Sequence, residues 1–271
     1  MAENSKIPWC LHTWSPWHGC TKISPGCANC YAAFMAPRNP GNLGIWGPNG
    51  SRPIRKNWET PRKWDREAAK AGERWRIFPS ICDPFEGPET MPAADWPKVR
   101  EARVRFYHLI QETPNLDWLV LTKRPENIRR FCEFERSWSE YAPANLWQGT
   151  SVEDADHLFR IDVLKLSDAP IRWVSIEPLL GPIPTLRNHL DGIDWVVVGG
   201  ESGSKSRPCN AGWIRDIVAQ CRDAGVAVYV KQLGDTPRPS HLPSDVAVRF
   251  IKAPKGGDPA EWPEDLRIQI G

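Results

Sequence analysis

Short runs of β-branched and aromatic residues recur along the chain, and each run ends in polar or glycine residues. These runs occupy residues 75–83, 117–124, 145–153, 171–177, 194–201 and 226–232. Helical spacing of apolar positions fills several of the stretches between them, at residues 97–112, 125–134, 155–166 and 211–224. Runs of this kind are typical of buried strands, and the spacing between them is typical of amphipathic helices. The pattern therefore predicts alternating strands and helices, with a short first strand near residues 11–14.

Alternation of strands and helices indicates an α/β fold with a mainly parallel sheet and right-handed crossovers. We expect a partial (β/α)6-like TIM-type barrel, and an open doubly wound sheet is the alternative. The barrel domain is predicted to span residues 1–235, and a Pro- and charge-rich extension, residues 236–271, to pack on it. Within the barrel domain, residues 37–66 form an irregular and then basic insertion. In both architectures, active-site residues belong at the carboxyl ends of the strands.

Composition narrows the class of protein. The chain has 271 residues, of which 41% are hydrophobic, and a net charge of only +2. It can bury a sizeable core, and no strong global field marks it as a polyanion-binding protein. No apolar run approaches the roughly 20 residues of a membrane span, and the N-terminus lacks the apolar core of a signal peptide. We therefore expect a cytoplasmic protein without a membrane partner, in which eight cysteines favour metal or redox chemistry over disulfides.

Three of the eight cysteines lie within eleven residues, in a loop at residues 14–31 that follows the first predicted strand. Cys20, Cys27 and Cys30 have the spacing C-x6-C-x2-C. Three thiolates can hold three irons of a [4Fe–4S] cluster and leave the fourth iron open for chemistry. A structural zinc site is the alternative, although the chain lacks a second C-x2-C pair. The candidates for a fourth zinc ligand are Cys10, His12 and His18.

Charged side chains follow several predicted strands at their carboxyl ends. We assign catalytic roles to four of them: Lys123, Arg124, Glu177 and Lys231. Lys123 and Arg124 can bind a carboxylate or a phosphate. Alternatively, these two cations pair with Glu153 or Glu177 on neighbouring strand ends.

A second group of residues is predicted to bind a cofactor. Gly199-Gly200-Glu201 ends a strand, where glycines let a ligand approach the backbone and a carboxylate can accept from an ammonium group. The alternative is a tight strand-to-helix turn, with Glu201 at the start of the next helix. The full set of cofactor-binding candidates is Tyr31, Ser151, Glu153, Gly199, Gly200 and Glu201.

Residues 52–66 contain six basic side chains, two acidic ones and two tryptophans. Cations bind phosphates and exposed aromatic rings stack on bases, so this composition is compatible with nucleic-acid binding. The candidates are Arg55, Lys56, Trp58, Arg62, Lys63 and Trp64. The alternative is a solvated helix face with both tryptophans packed into the domain.

The loop Ser15-Pro-Trp-His-Gly-Cys20 … Cys27-Ala-Asn-Cys30-Tyr-Ala resembles the cluster loop of the radical S-adenosylmethionine superfamily, and it is distantly similar to loops of the spore photoproduct lyase type. Over nearly the whole chain, the sequence resembles a phage- and prophage-encoded three-cysteine family of unknown function. The matching landmarks are L-T-K-R-P-E (121–126), G-T-S-V-E (149–153), S-I-E-P-L-L-G (175–181), G-G-E-S-G (199–203) and V-K-Q-L-G (230–234).

Two features depart from the superfamily pattern. Six residues separate the first two cysteines instead of three, and we expect the additional residues 23–26 to bulge outward. The position before the third cysteine is Asn29, where the superfamily usually has an aromatic residue.

The resemblance implies an activity and its cofactors. Cys20, Cys27 and Cys30 would ligate a [4Fe–4S] cluster, S-adenosylmethionine would chelate the open iron, and the Gly-Gly-Glu motif would contact its methionyl amine. A reduced cluster would then generate a 5′-deoxyadenosyl radical that abstracts a substrate hydrogen. A one-electron donor of the flavodoxin or ferredoxin type is the implied partner.

The phage-type resemblance and the basic stretch favour a nucleic-acid base or nucleotide as substrate, in DNA modification or repair within the host cytoplasm. Two alternatives remain open. The first is a zinc- or cluster-stabilised nucleic-acid-binding or partner protein without radical chemistry. The second is a radical enzyme that acts on a peptide or a small molecule.

Overall fold

The structure, a computed structural model, describes residues 2–133, 138 and 142–270. The chain forms two compact units, each assembled from several segments. The first unit contains residues 1–23, 30–149 and 166–171, and the second contains residues 24–29, 150–165 and 172–271. Both units draw on distant parts of the chain.

The first unit contains four neighbouring strands in chain order. They are β1 (His12–Thr13), β2 (Trp75–Phe78), β3 (Leu116–Thr122) and β4 (Leu146–Ser151), of which β4 contributes its last two residues to the second unit. Strands β1 and β2 pair in parallel with Thr13 opposite Phe78, and β2 and β3 pair in parallel with Ile77 opposite Trp118. The helices are α1 (Tyr31–Met35), α2 (Pro40–Leu43), α3 (Glu59–Ala71), α4 (Trp96–Glu112) and α5 (Glu126–Glu133), with 3₁₀ helices at Ala36–Arg38 and Pro88–Thr90.

The second unit continues from the end of β4. Strands β5 (Ile171–Ile176) and β6 (Trp195–Gly199) follow β4 in the hydrogen-bonded order, β7 (Cys209–Asn210) leaves it, and β8 (Ala227–Gln232) pairs with β6. Strand β7 pairs with β9 (Pro237–Arg238) in a separate two-stranded sheet. The pairs β5–β6, β6–β8 and β7–β9 are parallel, and Val197 of β6 lies opposite Tyr229 of β8. The α-helices are α6 (Phe159–Leu164) and α7 (Ala211–Asp223); the 3₁₀ helices are Pro25–Cys27, Ala155–His157, Leu186–His189, Pro243–Phe250, Pro254–Gly256, Pro259–Glu261 and Glu264–Leu266.

Local sequence explains where the long elements lie. All five residues of β6 are buried, as expected for a strand of a parallel sheet covered on both faces. Helix α4 has Pro97 in its first turn and buries residues three and four apart, among them Val99, Ala102 and Phe106. Helix α7 is capped at its N-terminus by Asn210, whose side chain accepts from the Gly212 amide.

The prediction of an α/β fold with mainly parallel strands is confirmed, and each predicted strand coincides with an observed one. Predicted helix 155–166 is shorter than expected: a 3₁₀ turn precedes α6. The irregular stretch 37–53 contains the end of the 3₁₀ helix Ala36–Arg38 and one short α-helix, α2. Predicted helix 125–134 ends, in the part of the chain that the structure describes, at Glu133.

The C-terminal segment 236–271 belongs to the second unit. The Val230 amide donates to the Ile268 carbonyl, and the Trp195 indole donates to the Ile270 carbonyl at 2.8 Å. Trp262 is buried, and its indole N–H donates to the Gly256 carbonyl. Within the described ranges, no helix is long and apolar enough to cross a membrane.

Candidate functional site

The three loop cysteines lie between β1 and α1. Cys20 and Cys30 belong to the first unit and Cys27 to the second, and all three are free thiols that are partly exposed. The cysteines buried as small apolar side chains are Cys10, Cys209 and Cys221. Three free thiols on one loop have the chemistry of ligands to an iron–sulfur cluster. Over the residues that the structure describes, no group of three or more His, Cys, Asp or Glu side chains is close enough to hold a metal ion.

Thr21, directly after the first loop cysteine, is hydrogen-bonded at every polar atom. Its amide donates to Glu86 Oε1 at 2.9 Å, and its hydroxyl donates to the Thr90 carbonyl at 2.6 Å. The hydroxyl also accepts from Arg52 Nη2 at 2.9 Å, and its carbonyl accepts from Arg124 Nη2 at 2.7 Å. The backbone beside Cys20 is therefore fixed by side chains from three other segments of the first unit.

Arg52 and Glu86 form the first of two ion pairs that hold Thr21. Arg52 donates from Nε and Nη2 to the two carboxylate oxygens, each at 2.7 Å, and neither side chain is exposed to solvent. A planar, bidentate pair of this kind satisfies both partners, which is the condition for burying charge. The remaining donors of the guanidinium bind backbone carbonyls, including those of Gly47 and Gly50.

Arg124 and Asp83 form the second ion pair. Arg124 Nη1 lies 2.5 Å from Asp83 Oδ2 and 3.8 Å from Cys20 Sγ, and both charged side chains are buried. Thr122 donates to the other Asp83 oxygen at 2.7 Å. Burial opposes the charge of Arg124, but the carboxylate of Asp83 raises the pKa of its guanidinium above the ordinary value. A permanent cation therefore faces the sulfur of the first loop cysteine.

Cys20 is a protonated thiol in this environment. Burial, followed by the charges of Asp83 and Glu86, raises the pKa of the Cys20 thiol well above its ordinary value, while Arg124 opposes the shift. A metal ligand must be a thiolate, so binding of a metal at Cys20 would release a proton.

The irregular stretch before α3 folds back onto the cysteine loop. His18 donates from Nδ1 to the Asn42 carbonyl, and its Nε2 accepts from Arg55 Nη2 at 2.6 Å. Burial lowers the pKa of His18 to about 4, so the ring is neutral at physiological pH. Gly19 has φ +102°, and a Cβ there would lie 3.0 Å from the Ser51 carbonyl oxygen, which explains the glycine before Cys20.

In the second unit, a buried carboxylate holds the segment that contains Cys27. The Gly26 amide donates to Glu153 Oε1 at 3.2 Å, and Arg160 binds the other carboxylate oxygen at 2.9 Å. A Cβ on Gly26 would lie 3.1 Å from the Glu153 carboxyl carbon. The expectation that residues 23–26 bulge outward is wrong at Gly26, because this residue is buried against Glu153.

A second carboxylate of the same unit holds Asn29. The Asn29 amide donates to Glu201 Oε2 at 3.0 Å and to the Lys205 carbonyl at 2.8 Å. Arg207 donates to Glu201 from its backbone amide, Nε and Nη2, at 2.6–2.9 Å. Burial raises the pKa of Glu201, but the hydrogen bonds from Arg207 and Asn29 outweigh it and lower that pKa below the ordinary value. Asn29 thus has a hydrogen-bonding role that an aromatic residue could not fill.

In Gly199-Gly200-Glu201, the two glycines let residues 232–234 approach the backbone closely. A Cβ on Gly200 would lie 2.3 Å from the Leu233 carbonyl oxygen, and Gln232 Nε2 donates to the Gly200 carbonyl at 2.8 Å. The segment after β8 therefore packs against Gly200 on the side where a Cβ would project. The next helix, α7, is capped by Asn210, so Glu201 does not begin it.

Ion pairs involve three of the predicted catalytic side chains, namely Arg124, Glu177 and Lys231. Glu177 pairs with Lys231 at 2.9 Å in the second unit. Arg124 pairs with Asp83, as described above, while the predicted partner Glu153 is bound by Arg160.

The remaining candidates differ in exposure. Lys123 is half-buried. Ser151 is buried, with its carbonyl accepting from Arg160 Nη1 at 3.0 Å. Tyr31 is 54% exposed.

The predicted nucleic-acid residues divide into buried rings and surface cations. Trp58 and Trp64 are 2% and 1% exposed, and their indoles donate to the Arg55 carbonyl and to Glu3. Neither ring is available to stack on a base, and the alternative of a helix face with packed tryptophans describes α3. Arg62 binds Glu59 and Glu112, Lys63 lies 3.6 Å from Glu67, Arg55 contacts His18, and Lys56 is exposed.

Several residues that hold the loop were not predicted from the sequence: Thr21, Arg52, Asp83, Glu86, Arg160 and Arg207. Arg52 lies in the basic stretch and is 34 positions from Glu86, so no local pattern links the two. A weak signal exists for Asp83 and Glu86, which lie in a polar run directly after the predicted strand 75–83.

Fold and site together define a mixed α/β protein with three free thiols on one loop. A family profile with the description "Protein of unknown function (DUF5131)" matches residues 4–254. Since this match covers most of the chain, the protein belongs to the DUF5131 family. Comparisons with curated proteins and with solved structures gave no match.

Proposed function

We propose that the protein is a radical S-adenosylmethionine-type [4Fe–4S] enzyme that acts on a nucleic-acid base or nucleotide, in DNA modification or repair of the phage type. The observation that carries this proposal is the loop of three free, partly exposed thiols, whose backbone is held by buried charged side chains in each unit. A partial TIM-type barrel, kinship with the radical S-adenosylmethionine superfamily, a one-electron donor of the flavodoxin or ferredoxin type and a cytoplasmic location are parts of the same proposal.

In this proposal, Cys20, Cys27 and Cys30 hold three irons of the cluster. When bound, the cluster and S-adenosylmethionine supply a radical able to abstract hydrogen from a substrate. The protein contributes position and charge. The two buried ion pairs that bind Thr21 fix the backbone at Cys20. The Arg124 cation, close to Cys20 Sγ, favours the thiolate form of Cys20.

The second unit contributes the placement of Cys27. Glu153 and Glu201 bind the Gly26 amide and the Asn29 side chain on either side of this cysteine. Glu201 already accepts four hydrogen bonds from Asn29 and Arg207, close to the capacity of one carboxylate. We therefore assign Glu201 to holding the loop, and not to the methionyl amine of S-adenosylmethionine.

The test is anaerobic reconstitution with iron and sulfide, followed by reduction with S-adenosylmethionine present. The expected results are about four irons and four sulfides per chain, as in a [4Fe–4S] cluster, and formation of 5′-deoxyadenosine. Replacement of Cys20, Cys27 or Cys30 by Ala should abolish both. Cys132→Ala, a half-buried cysteine outside the loop, is the matched control and should change neither.

Other outcomes would favour the alternatives. A colourless, zinc-loaded protein that forms no 5′-deoxyadenosine would contradict radical chemistry and support a zinc-stabilised binding protein. Formation of 5′-deoxyadenosine that no nucleic acid or nucleotide stimulates would indicate a peptide or small-molecule substrate.

A further inference from the structure

Helix α1, which begins directly after Cys30, turns its apolar side chains outward. Ala32 and Ala36 are 5% and 1% exposed, whereas Tyr31, Phe34 and Met35 are 54%, 62% and 49% exposed. Positions i, i+3 and i+4 of a helix share one face, so these three side chains form a continuous outer strip. The Tyr31 hydroxyl hydrogen-bonds to Ser80, so one edge of this ring faces the protein. A surface helix normally has the reverse pattern, with small and polar residues outside. An outward apolar face indicates a contact with another molecule.

A cation lies on this strip. The guanidinium carbon of Arg38 is 4.6 Å from the centre of the Phe34 ring, and Arg38 is exposed. Phe34 is 62% exposed, so its ring is accessible to a further planar group.

The surrounding sequence is strongly one-sided in charge. Residues 4–58 contain no Asp or Glu and six basic residues: Lys6, Lys22, Arg38, Arg52, Arg55 and Lys56. Arg52 is paired with Glu86, and both Arg38 and Lys56 are exposed. The same segment is held together by hydrogen bonds from His18 to Asn42 and from Gly47 to Cys20. The segment itself therefore carries an excess of positive charge, which favours an anionic partner.

Exposed rings together with cations distinguish between the possible polyanions. Nucleic-acid single strands are bound by aromatic side chains that stack on bases and by cations that bind phosphates. Bases in a duplex offer no free faces, so a stacking surface selects unpaired nucleotides. An acidic protein would use the cations but would not require two aromatic rings on the same strip.

We propose that Tyr31, Phe34, Met35 and Arg38, here called the α1 surface, bind single-stranded DNA by base stacking and phosphate contact. The surface replaces Trp58 and Trp64, which are buried, as the place where bases stack. It adjoins Cys30 in the chain, so a bound strand would present its bases next to the cysteine loop. As an account of substrate binding, this inference rests on the proposed function.

The test is fluorescence anisotropy of an end-labelled oligo(dT) strand, titrated with the metal-free protein at several salt concentrations. Phe34→Ala should weaken binding by about 5- to 150-fold, the loss of one stacked base. Arg38→Gln should reduce the slope of log affinity against log salt by about 0.7. Phe34→Tyr, which keeps the ring, should bind like the parent.

Phe250→Ala is the matched control, since Phe250 is 69% exposed and belongs to the second unit. The proposal is overturned if Phe34→Ala and Arg38→Gln bind as tightly as the parent, or if Phe250→Ala loses as much affinity as Phe34→Ala. Equal affinity for duplex and single strand would also overturn it, as would binding of an acidic electron-transfer protein but not of DNA.

The two proposals fail separately. DNA binding that depends on Phe34, with no 5′-deoxyadenosine formed in the reconstitution assay, would contradict the radical function but support DNA binding by the α1 surface. Formation of 5′-deoxyadenosine, with no effect of Phe34→Ala or Arg38→Gln on DNA binding, would contradict DNA binding by the α1 surface but support the radical function.

Discussion

Removal of Glu86 should be among the most destabilising single changes in the first unit. Glu86 accepts three hydrogen bonds, from Arg52 Nε and Nη2 at 2.7 Å each and from the Thr21 amide at 2.9 Å. Neither member of the ion pair is exposed. Glu86→Ala leaves the buried guanidinium without its counter-charge and the Thr21 amide without an acceptor.

The expected cost follows from these contacts. Removing one partner of a buried ion pair costs about 3–5 kcal/mol. Arg52 keeps hydrogen bonds to backbone carbonyls, including those of Gly47 and Gly50, so we expect about 3 kcal/mol. This corresponds to roughly a 150-fold larger unfolding equilibrium constant at 25 °C.

The assay is urea unfolding of the metal-free protein, followed by tryptophan fluorescence and by far-UV circular dichroism. Arg62→Ala provides a control in the same unit, because its pairs with Glu59 and Glu112 are partly exposed. Exposed pairs contribute about 0–1 kcal/mol, so this variant should unfold close to the parent. In the double variant Arg52→Met/Glu86→Leu both charges are absent, and much of the lost stability should return.

Two results would refute the reasoning. If Glu86→Ala cost no more than Arg62→Ala, the buried pair would not hold the structure. If the double variant were less stable than Glu86→Ala, the cost would come from packing and not from an uncompensated buried charge.

Three further variants test other contacts. Gly26→Ala places a Cβ 3.1 Å from the Glu153 carboxyl carbon and should lower the free energy of unfolding in urea by about 1–3 kcal/mol. Gly41→Ala, with open space at its Cβ, should not lower it, and equal effects of the two variants would contradict this reasoning. Asn29→Ala removes a hydrogen bond to Glu201 and should lower the free energy of unfolding by about 1 kcal/mol. It should also reduce the iron content after reconstitution, and an unchanged iron content would argue against a role for Asn29 in positioning the loop. Burial raises the pKa of Asp245, but hydrogen bonds from its arginine and serine neighbours lower it below the ordinary value. This stabilisation is present above about pH 4 and lost as the pH falls, so the unfolding free energy of Asp245→Asn should fall less steeply than that of the parent between about pH 5 and 3.

The strands could be predicted because their sequences are distinctive. Residues 194–201 contain four consecutive apolar residues before Gly199, and β6 occupies 195–199 with every residue buried. Helix α3 was harder to predict, since the basic stretch 52–66 that leads into it, with its two tryptophans, is also typical of a binding surface. Its buried positions Pro61, Trp64 and Ala68 follow helical spacing, which is the signal that identifies the inner face.

The candidate site could be predicted only in part. The cysteine spacing is local, so the sequence shows it directly. The side chains that hold the loop come from distant segments: Arg52 and Glu86 lie 34 positions apart, and Asn29 and Glu201 lie 172 apart. In the sequence a buried arginine looks the same as an exposed one, and only the fold provides its carboxylate.

The burial of the tryptophans determines what optical methods can detect. Ten of the fifteen are buried, and Trp14 lies 5.0 Å from Trp58 and 5.9 Å from Trp118, with the ring planes at 71° and 79°. Closely spaced indoles in fixed, non-parallel orientations couple electronically and should give a strong exciton signal in circular dichroism. Because these rings are shielded from solvent, acrylamide should quench them weakly in the folded protein. Intrinsic fluorescence therefore reports on the core, and ligand binding at the loop is better followed with a label on the ligand.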